Sequence, residues 1–402
     1  MKFTDINFTD YLQEGIEAMG YKDCTPIQEK SIPVIKERKD LIACAQTGTG
    51  KTAAFLLPIL DRISQCPEDS KIRALIIVPT RELALQIDQQ VEGMSYYCNV
   101  SSVSVYGGSE SDIWSRQKKA LSSGADIVVA TPGRLLQHLS FNYVDLSNID
   151  VVILDEADRM LDMGFYEDIV KIIKETPNER QTLLFSATMP PKIRKLANTI
   201  LKDPEEVNIA ISKPAEKILQ VAYMVFNQNK VKLIQSLLDG KDYLNGVIIF
   251  CSRKSDVNEL NLALNRLNIN SAAIHSDLEQ KDRESALLEF RSHKLQVLVA
   301  TDILARGIDI KGLDLVINYN VPSDAADYVH RVGRTARAEA SGIAITLISD
   351  SDQNEFKDIE TLIEREILKL DTPLEIGSSP VYSPKTRKQY KGKRQFFKKK
   401  KK

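Results

Sequence analysis

Residues 45–52 read Ala-Gln-Thr-Gly-Thr-Gly-Lys-Thr, directly after a short apolar run and at the start of a stretch with helical periodicity. A glycine-rich segment between a strand and a helix lets backbone N–H groups turn toward phosphate oxygens, and the helix N-terminus adds to the attraction. Lys51 supplies a charge for the outer phosphates, and the Thr52 hydroxyl is a ligand for Mg²⁺. The strict pattern begins with glycine, where this chain has Ala45. The stretch predicts a nucleotide site in a fold of alternating strands and helices.

Short apolar runs alternate with amphipathic helical stretches along most of the chain. Several runs are apolar on both sides, as strands covered by helices on both faces of a sheet must be. This alternation predicts βαβ units and parallel sheets. The predicted strands form two series, Asp40–Ala45, Ala74–Pro79, Ile127–Ala130, Val151–Leu154 and Thr182–Phe185, then Gln220–Val225, Gly246–Cys251, Ser271–Ile274, Gln296–Ala300, Leu313–Asn318 and Gly342–Ile348.

A polar stretch without periodicity, residues 210–217, separates the two series and predicts a linker. The predicted fold class is therefore α/β, with one domain over 1–209 and a second over 218–370. The two halves are candidates for two copies of one architecture. From 371 to 402 the sequence turns to Pro, Ser and Lys, so we expect a disordered basic tail with little fixed structure.

The charges of the 402-residue chain are divided unevenly. Lys and Arg number 54 against 55 Asp and Glu, but eleven of the basic residues fall between 385 and 402, where no acid occurs. The rest of the chain has a net charge of −12. An acidic body with such a tail favours a polyanion as partner, the alternative being a tail that serves solubility.

The sequence also argues against several classes of protein. No apolar run approaches the roughly 20 residues of a membrane-spanning helix, and the first residues lack the pattern of a secretory signal. The five cysteines are widely spaced and form no C-x-x-C pair, which is typical of reduced thiols rather than disulfides or structural zinc. We expect a cytoplasmic protein without a membrane segment.

Two further motifs carry chemistry. The stretch from Val151 to Asp158 is an apolar run that ends in acids, at the strand edge where α/β sheets bind ligands. There Asp155 is suited to hold Mg²⁺ through water, and Glu156 to orient or deprotonate a water that attacks the γ-phosphate. The second motif, residues 330–337, spaces three arginines by three, on one face if the segment is helical. They are interpreted as arginine fingers for phosphoryl transfer, a solvated basic face being the alternative.

With these motifs in order, the chain resembles a DEAD-box ATP-dependent RNA helicase of superfamily 2 over about residues 3–350. The family is named for its motif Asp155-Glu156-Ala157-Asp158. The compact core with a short basic tail is similar to bacterial RhlE-type members. The resemblance implies two tandem RecA-like domains, ATP and Mg²⁺ as cofactors, and a monomer that remodels RNA duplexes and RNA–protein complexes by closure of its domains. RNA recognition would use backbone and 2′-OH contacts with little sequence preference.

The resemblance also implies roles for individual residues. In the Q motif, within residues 1–29, Gln28 would read adenine and Tyr21 would stack on the base, although Cys24 replaces the usual proline. The implied catalytic residues are Lys51, Asp155, Glu156, Arg334 and Arg337. The implied nucleotide contacts are Phe3, Tyr21, Gln28, Ala45, Gln46, Thr47, Gly48, Thr49, Gly50, Lys51, Thr52, Asp309, Arg334 and Arg337, with Thr52 and Asp155 for Mg²⁺. The implied RNA contacts are Pro79, Thr80, Arg81, Gly108, Thr131, Gly133, Arg134, Arg253, Gln280, Arg283 and Thr301. Residues implied to couple hydrolysis to RNA are Asp158, Ser186, Thr188 and His330.

Three other functions remain open at this point. A translocating DNA helicase shares the ATP chemistry, but the Gln28 region and Asp158 favour RNA. An ATP-gated RNA clamp that unwinds little would have the same sequence. A small-molecule kinase with a phosphate loop is disfavoured by two complete α/β halves and by the late arginine motif.

Overall fold

The computed structural model describes residues 1–46, 48–65, 71–108, 111–209, 218–241, 243–244, 246–301, 313–335 and 342–384. The predicted linker 210–217 lies outside the described residues, as do Thr47, Asp309, Arg337 and the basic segment 385–402. The helices of the described part are α1 (Asp10–Ala18), α2 (Pro26–Lys36), α3 (Lys51–Gln65), α4 (Arg81–Met94), α5 (Ser111–Ser123), α6 (Pro132–Leu139), α7 (Ala157–Asp162), α8 (Tyr166–Lys174), α9 (Pro191–Ile200), α10 (Lys230–Leu238), α11 (Lys254–Arg266), α12 (Gln280–Arg291), α13 (Ala325–Val332) and α14 (Gln353–Ile363).

Each half of the chain builds a seven-stranded parallel sheet, which confirms the predicted fold class. The strands are β1 (Leu41–Cys44), β2 (Ala74–Ile77), β3 (Ser102–Val105), β4 (Ile127–Ala130), β5 (Val151–Leu154), β6 (Gln181–Ser186), β7 (Glu205–Asn208), β8 (Leu219–Met224), β9 (Val247–Cys251), β10 (Ser271–Ile274), β11 (Val297–Thr301), β12 (Leu315–Asn318), β13 (Ile343–Ile348) and β14 (Leu368–Asp371). Their orders are β3-β4-β2-β5-β6-β1-β7 and β10-β11-β9-β12-β13-β8-β14. Counted from its own first strand, each sheet has the same order, so the two halves share one topology.

The central strands of both sheets are buried on both faces. β2, β4 and β5 are buried at every position, and the apolar side chains on opposite faces of the first sheet belong to two separate core clusters. Helices cover both faces because a parallel sheet returns through a crossover helix after each strand. This packing directs the carboxyl ends of all strands, and the loops that follow them, to a single edge of each sheet.

Residues 372–384 differ from the prediction of little fixed structure after 370. The Tyr382 hydroxyl donates to Glu360 Oε2 at 3.1 Å. Gln353 holds the same segment with both amide atoms, since Nε2 donates to the Val381 carbonyl at 3.0 Å and Oε1 accepts from a backbone N–H of the segment at 2.6 Å. The partners of the segment are side chains of α14. The composition of a Pro- and Ser-rich stretch does not indicate such contacts with a distant helix.

No helix in the described ranges combines the length and the apolar character needed to cross a membrane.

Candidate active site

A cavity of about 300 Å³ lies at the carboxyl edge of the first sheet. First-domain residues form most of its wall, and Arg334 of the second half completes it. Its lining residues are Phe3, Tyr21, Asp23, Thr25, Gln28, Gly48, Gly50, Lys51, Thr52, Ala53, Leu83, Gln86, Gln90, Asp155, Glu156 and Arg334. The structure thus brings together residues that the sequence analysis assigned to adenine, to phosphates and to hydrolysis.

The phosphate loop connects β1 to α3. Gly48 and Gly50 have φ values of 86° and 92°, a left-handed conformation that residues with a Cβ adopt only at a cost. Lys51 is buried, and its Nζ donates to the carbonyl of Ala45 at 2.9 Å. The Thr49 hydroxyl donates to the carbonyl of Gln46 at 2.7 Å. Ala45 and Gln46 are therefore buried residues that hold the loop together, and the cavity wall itself is formed by the loop's later residues.

Gln28 connects the base end of the cavity to this loop. It is the third residue of α2, where its Oε1 accepts from the Thr25 N–H at 2.8 Å in a capping box. Its Nε2 donates to the carbonyl of Gly50 at 3.1 Å. Beside it, the rings of Phe3 and Tyr21 stack with centroids 5.8 Å apart. The capping interaction and the contact with Gly50 fix the amide of Gln28 at the position predicted to read the base.

Two carboxylates follow β5 at the opposite end of the cavity. Asp155 is buried, and burial raises its pKa to about 6 while the nearby Lys51 charge opposes the rise. Glu156 has a φ of 52°, and its Oε2 accepts from Arg159 NH1 at 3.1 Å. The Asp155 carboxylate is therefore predominantly ionised at pH 7, and the carboxylate of Glu156 is fixed by an ion pair.

Six lining residues were not assigned a role in the sequence analysis: Asp23, Thr25, Ala53, Leu83, Gln86 and Gln90. Three of them lie on α4 at spacings of three and four, so they share one face of that helix. The spacing was a usable signal, but nothing in the local sequence shows that this face turns toward a loop from another part of the chain.

The coupling residues converge at a second cavity of about 170 Å³ between the two halves, lined in part by Asp158, Thr188 and His330. Asp158 Oδ2 accepts from the Thr188 N–H at 2.9 Å and from its hydroxyl at 3.0 Å. Ser186 joins this network, because its hydroxyl donates to the Thr188 carbonyl at 2.8 Å. Glu156 lines both cavities and connects this network to the nucleotide cavity.

The helix that would place the late arginines on one face does not extend over the whole described part of residues 330–337, and Arg337 lies outside the described residues. α13 ends at Val332, so Arg334 leaves the helix and turns toward the nucleotide cavity. Arg331 is buried in the second half, where its NH1 donates to Asn318 Oδ1 and to the Asn320 carbonyl, each at 3.0 Å. Because Arg331 is buried against the polar residues that end and follow β12, it does not line the nucleotide cavity.

The predicted RNA contacts of the first half follow strands β2, β3 and β4. Thr80 caps α4 with its hydroxyl, which accepts from a backbone N–H at 3.4 Å. Arg134 donates through Nε to the Tyr106 carbonyl at 2.9 Å and through NH2 to the Gly108 carbonyl at 3.1 Å. Arg81 lies over the Tyr106 ring, 4.5 Å from its centroid. The remaining residues of this group are Pro79 at the end of β2 and Thr131 and Gly133 at the start of α6.

The RNA-side residues of the second half occupy the corresponding edge of the other sheet. Arg253 is the N-cap of α11, Thr301 ends β11, and Gln280 and Arg283 lie in the first turn of α12.

Two contacts join these two edges directly. Arg81 NH2 pairs with Glu284 at 2.6 Å, and Gln280 Nε2 donates to Glu82 Oε1 at 3.1 Å. The two edges that carry the predicted RNA residues therefore meet through α4 and α12.

A phosphate loop, acids after β5 and an arginine from the other half define a two-domain nucleoside triphosphatase. Sequence comparison identifies the family. The DEAD/DEAH box helicase family matches residues 25–196, and the helicase conserved C-terminal domain matches residues 229–339. The ATP-dependent RNA helicase CshA of Limosilactobacillus reuteri is 42% identical over 374 residues, which are 93% of this chain and 74% of that protein. The chain belongs to the DEAD-box ATP-dependent RNA helicases, enzymes that use ATP to remodel RNA. The RhlE-type subgroup stays a prediction.

Solved structures of a related helicase match this chain over both of its halves. A variant of S. cerevisiae Dbp5 bound to RNA and ADP BeF3 matches with a TM-score of 0.82 at 30% identity, covering 92% of this chain and 95% of that one. The same Dbp5 variant bound to Nup159, Gle1, IP6 and ADP scores 0.66 at 29% identity, covering 91% and 96%. The match is therefore better to the complex with RNA and ADP BeF3 than to the complex with ADP, at nearly equal identity and coverage.

Proposed function

We propose that this RNA helicase divides the hydrolysis of ATP between its two domains, so that turnover requires their closure on one nucleotide. The observation that carries the proposal is the position of Arg334, which completes a cavity otherwise built from first-domain residues. The proposed domains are 1–209 and 218–370, joined by the linker 210–217. Closure excludes water from the cavity and completes the catalytic set.

The first domain binds the nucleotide. Tyr21 and Phe3 provide ring surface for the base, and the fixed amide of Gln28 discriminates adenine from guanine through donor and acceptor positions. Backbone N–H groups of the phosphate loop donate to the phosphates. When nucleotide binds, the Lys51 ammonium replaces its hydrogen bond to the Ala45 carbonyl with hydrogen bonds to phosphate oxygens.

Mg²⁺ is compatible with this site. No group of three or more His, Cys, Asp or Glu side chains in the described residues is arranged to hold a metal alone. Protein Mg²⁺ sites in nucleotide enzymes, however, use one or two side chains together with phosphates and water. The buried carboxylate of Asp155 and the hydroxyl of Thr52 line the same cavity and would hold the ion. When bound, it would neutralise charge on the β- and γ-phosphates.

Hydrolysis then depends on Glu156 and on the arginines of the second domain. Glu156 is placed to orient the attacking water and to accept its proton, and the ion pair with Arg159 fixes the position of the carboxylate. Arg334 stabilises the charge that spreads over the transferred phosphoryl group. We assign the same role to Arg337, and ribose binding to Asp309, by family resemblance.

RNA binds along the surface that joins the two edges, through phosphate and sugar contacts that carry little sequence preference. The network of Asp158, Ser186, Thr188 and His330 connects that surface to Glu156. By thermodynamic reciprocity, RNA tightens ATP binding by the same factor as ATP tightens RNA binding.

The test is steady-state ATPase activity of the full chain with RNA, with DNA of the same sequence, and without nucleic acid. Stimulation by RNA alone supports the proposal, and equal stimulation by DNA contradicts it. Glu156→Gln should bind ATP and RNA but lose turnover. Retention of full RNA-stimulated turnover would show that Glu156 has been given the wrong role.

We also propose that the basic segment 385–402 is an electrostatic tether to structured RNA. Deletion of these residues should flatten the salt dependence of RNA affinity, because each lost phosphate contact lowers the slope of log K against log salt by about 0.7–0.9. An unchanged slope removes the tether from the proposal. The protein is further proposed to act as a cytoplasmic monomer, which sedimentation of the full chain and fractionation of cells can test.

A further inference from the structure

The single tryptophan of the chain, Trp114, belongs to a partly exposed aromatic group formed by α5, α6 and the turn that follows α6. Its indole stacks on His138, with ring centroids 3.9 Å apart and planes 12° from parallel. Phe141 meets Trp114 edge-on at 5.6 Å, and Tyr143 lies beside Phe141 at 6.4 Å with nearly parallel planes. Lys118 lies 5.3 Å from the centroid of the Tyr143 ring. Trp114, Lys118, Phe141 and Tyr143 are called the aromatic patch below.

The patch has a rigid base. His138 is fully buried, and its two ring nitrogens contact the Tyr143 hydroxyl and Gln117 Oε1. Burial lowers the pKa of His138 to about 4, so the ring under Trp114 is uncharged at neutral pH. Gln117 also donates to the carbonyls of Ser104 at 3.3 Å and Tyr106 at 3.1 Å, which anchors α5 to the end of β3.

Phe141 is the exposed aromatic ring of the patch, with 64% of its surface accessible. The chain turns sharply after α6, where the Phe141 N–H donates to the His138 carbonyl at 3.2 Å and Asn142 adopts a φ of 55°. A large ring that is held by a defined turn and left open to solvent is available to a binding partner, and it loses little conformational entropy when it stacks.

The patch is continuous with the proposed RNA surface. The guanidinium of Arg134 lies 5.0 Å from the centroid of the Trp114 ring, and the same guanidinium bonds the carbonyl of Gly108. Two successive contacts therefore link Phe141 to Arg134, which is one of the predicted RNA contacts. Cationic side chains stand at both ends of the patch, Arg134 at one and Lys118 at the other.

We propose that the aromatic patch is an accessory site for single-stranded RNA, in which a base stacks on Phe141 and the adjoining phosphates lie near Lys118 and Arg134. Aromatic faces interleaved with cations are the chemistry that binds single strands without sequence preference. The inference rests on the proposed RNA surface and extends it to nucleotides that flank the strand held between the two domains.

The experiment measures the affinity of the full chain, with a non-hydrolysable ATP analogue, for three single-stranded RNAs. One is a short RNA that spans the two domains, and the others carry six added nucleotides at the 5′ or at the 3′ end. One of the two extensions should tighten binding by wild-type protein about tenfold, which is within the range for one base–aromatic stack. Phe141→Ala should lose most of this gain, and Phe141→Tyr should keep it.

Tyr96→Ala is the matched control, because Tyr96 is an aromatic residue of the same domain with 81% of its surface exposed and lies outside the patch. Lys118→Ala should lower the slope of log K against log salt for the extended RNA by about 0.7. Equal gains in wild type and Phe141→Ala, or no gain from either extension, overturn the proposal and leave a protein partner as the occupant of the patch. If the short RNA fails to stimulate the wild-type ATPase, the proposed function itself fails, so the two failures are distinguishable.

Discussion

The two halves of the molecule share one strand order but differ in the loop that follows the first strand of each sheet. In each half the first strand leads through a short loop into a helix that begins with lysine, Lys51 on α3 and Lys230 on α10. The first loop contains Gly48 and Gly50, whereas residues 225–229 of the second read Val-Phe-Asn-Gln-Asn. None of residues 225–229 adopts the left-handed conformation that Gly48 and Gly50 adopt in the phosphate loop.

The second lysine is held within the fold by the residue that follows β12. Lys230 is 1% exposed, and its Nζ donates to the carbonyl of Tyr319 at 2.9 Å. Burial lowers the pKa of Lys230. The strand after which the first half places Asp155 is followed in the second half by Tyr319. A duplicated architecture supplies the same edge twice, and the residues of its loops decide which copy binds the nucleotide.

The largest change in ATP turnover is expected when Arg334, the residue of the second half that lines the nucleotide cavity, is replaced. Arg334→Ala should lower RNA-stimulated turnover by about 10³-fold, because an arginine finger raises turnover by roughly 10³–10⁵-fold. ATP affinity should change far less. Arg266→Ala, an exposed arginine on α11, is the control. A loss below tenfold would contradict the role given to Arg334. Equal turnover by the isolated fragment 1–209 and the full chain would show that the first half performs hydrolysis alone.

The next effect tests the comparison of the two lysines. Lys51→Ala should lower turnover by about 10²–10³-fold, the scale of one lost electrostatic contact to the transition state. Lys230→Met should preserve ATP affinity, since this side chain is buried in the second half. Single-turnover ATPase assays and titration with a fluorescent ATP analogue measure both. Similar loss of ATP binding in the two variants would contradict the assignment of nucleotide binding to the first half.

A smaller effect is expected from the loop itself. A Cβ on Gly50 would lie 2.5 Å from Gln28 Nε2, and the φ of 92° disfavours any side chain. Gly50→Ala should therefore weaken ATP binding by about tenfold or more, through backbone strain and displacement of the Gln28 amide. Gly93→Ala in α4, where the added methyl would approach only a flexible methionine side chain, serves as control. Unchanged ATP affinity for Gly50→Ala would show that the loop is not constrained in this way.

The smallest expected effect is a pH dependence of the free energy of unfolding of the first half, caused by His138. The pKa of His138 is lowered to about 4 by burial, whereas an unfolded histidine titrates near 6.5. Between these values the unfolded chain binds a proton that the folded chain does not, so stability falls as pH decreases below about 6.5. The free energy of unfolding, followed by Trp114 emission in urea, should fall by about 1.5 kcal/mol between pH 6.5 and 5.

His138→Gln should remove most of that dependence, while His293→Gln in the second half should retain it. An acid dependence that is the same in wild type and His138→Gln would assign it to other groups.

The edge strands show where sequence-based prediction fails. β3, β7 and β14 are absent from the two predicted series, and each lies at the edge of its sheet. β7 reads Glu-Glu-Val-Asn with only Val207 buried, and β14 has no buried position. Such strands are stabilised by hydrogen bonds to a neighbour rather than by apolar burial on two faces, so the apolar runs that identify central strands are missing.

The sequence by itself determined the two parallel-sheet halves, the phosphate loop and the acids after β5, because each depends on local periodicity or on adjacent residues. The tertiary structure alone decided that Arg334 reaches the first half's cavity while Arg331 does not, that one face of α4 lines that cavity, and that Trp114, His138 and Phe141 form one aromatic group. These arrangements join residues that are distant along the chain. Their contacts are fixed by how helices pack on each sheet and how the two sheets meet, and no local pattern records that geometry.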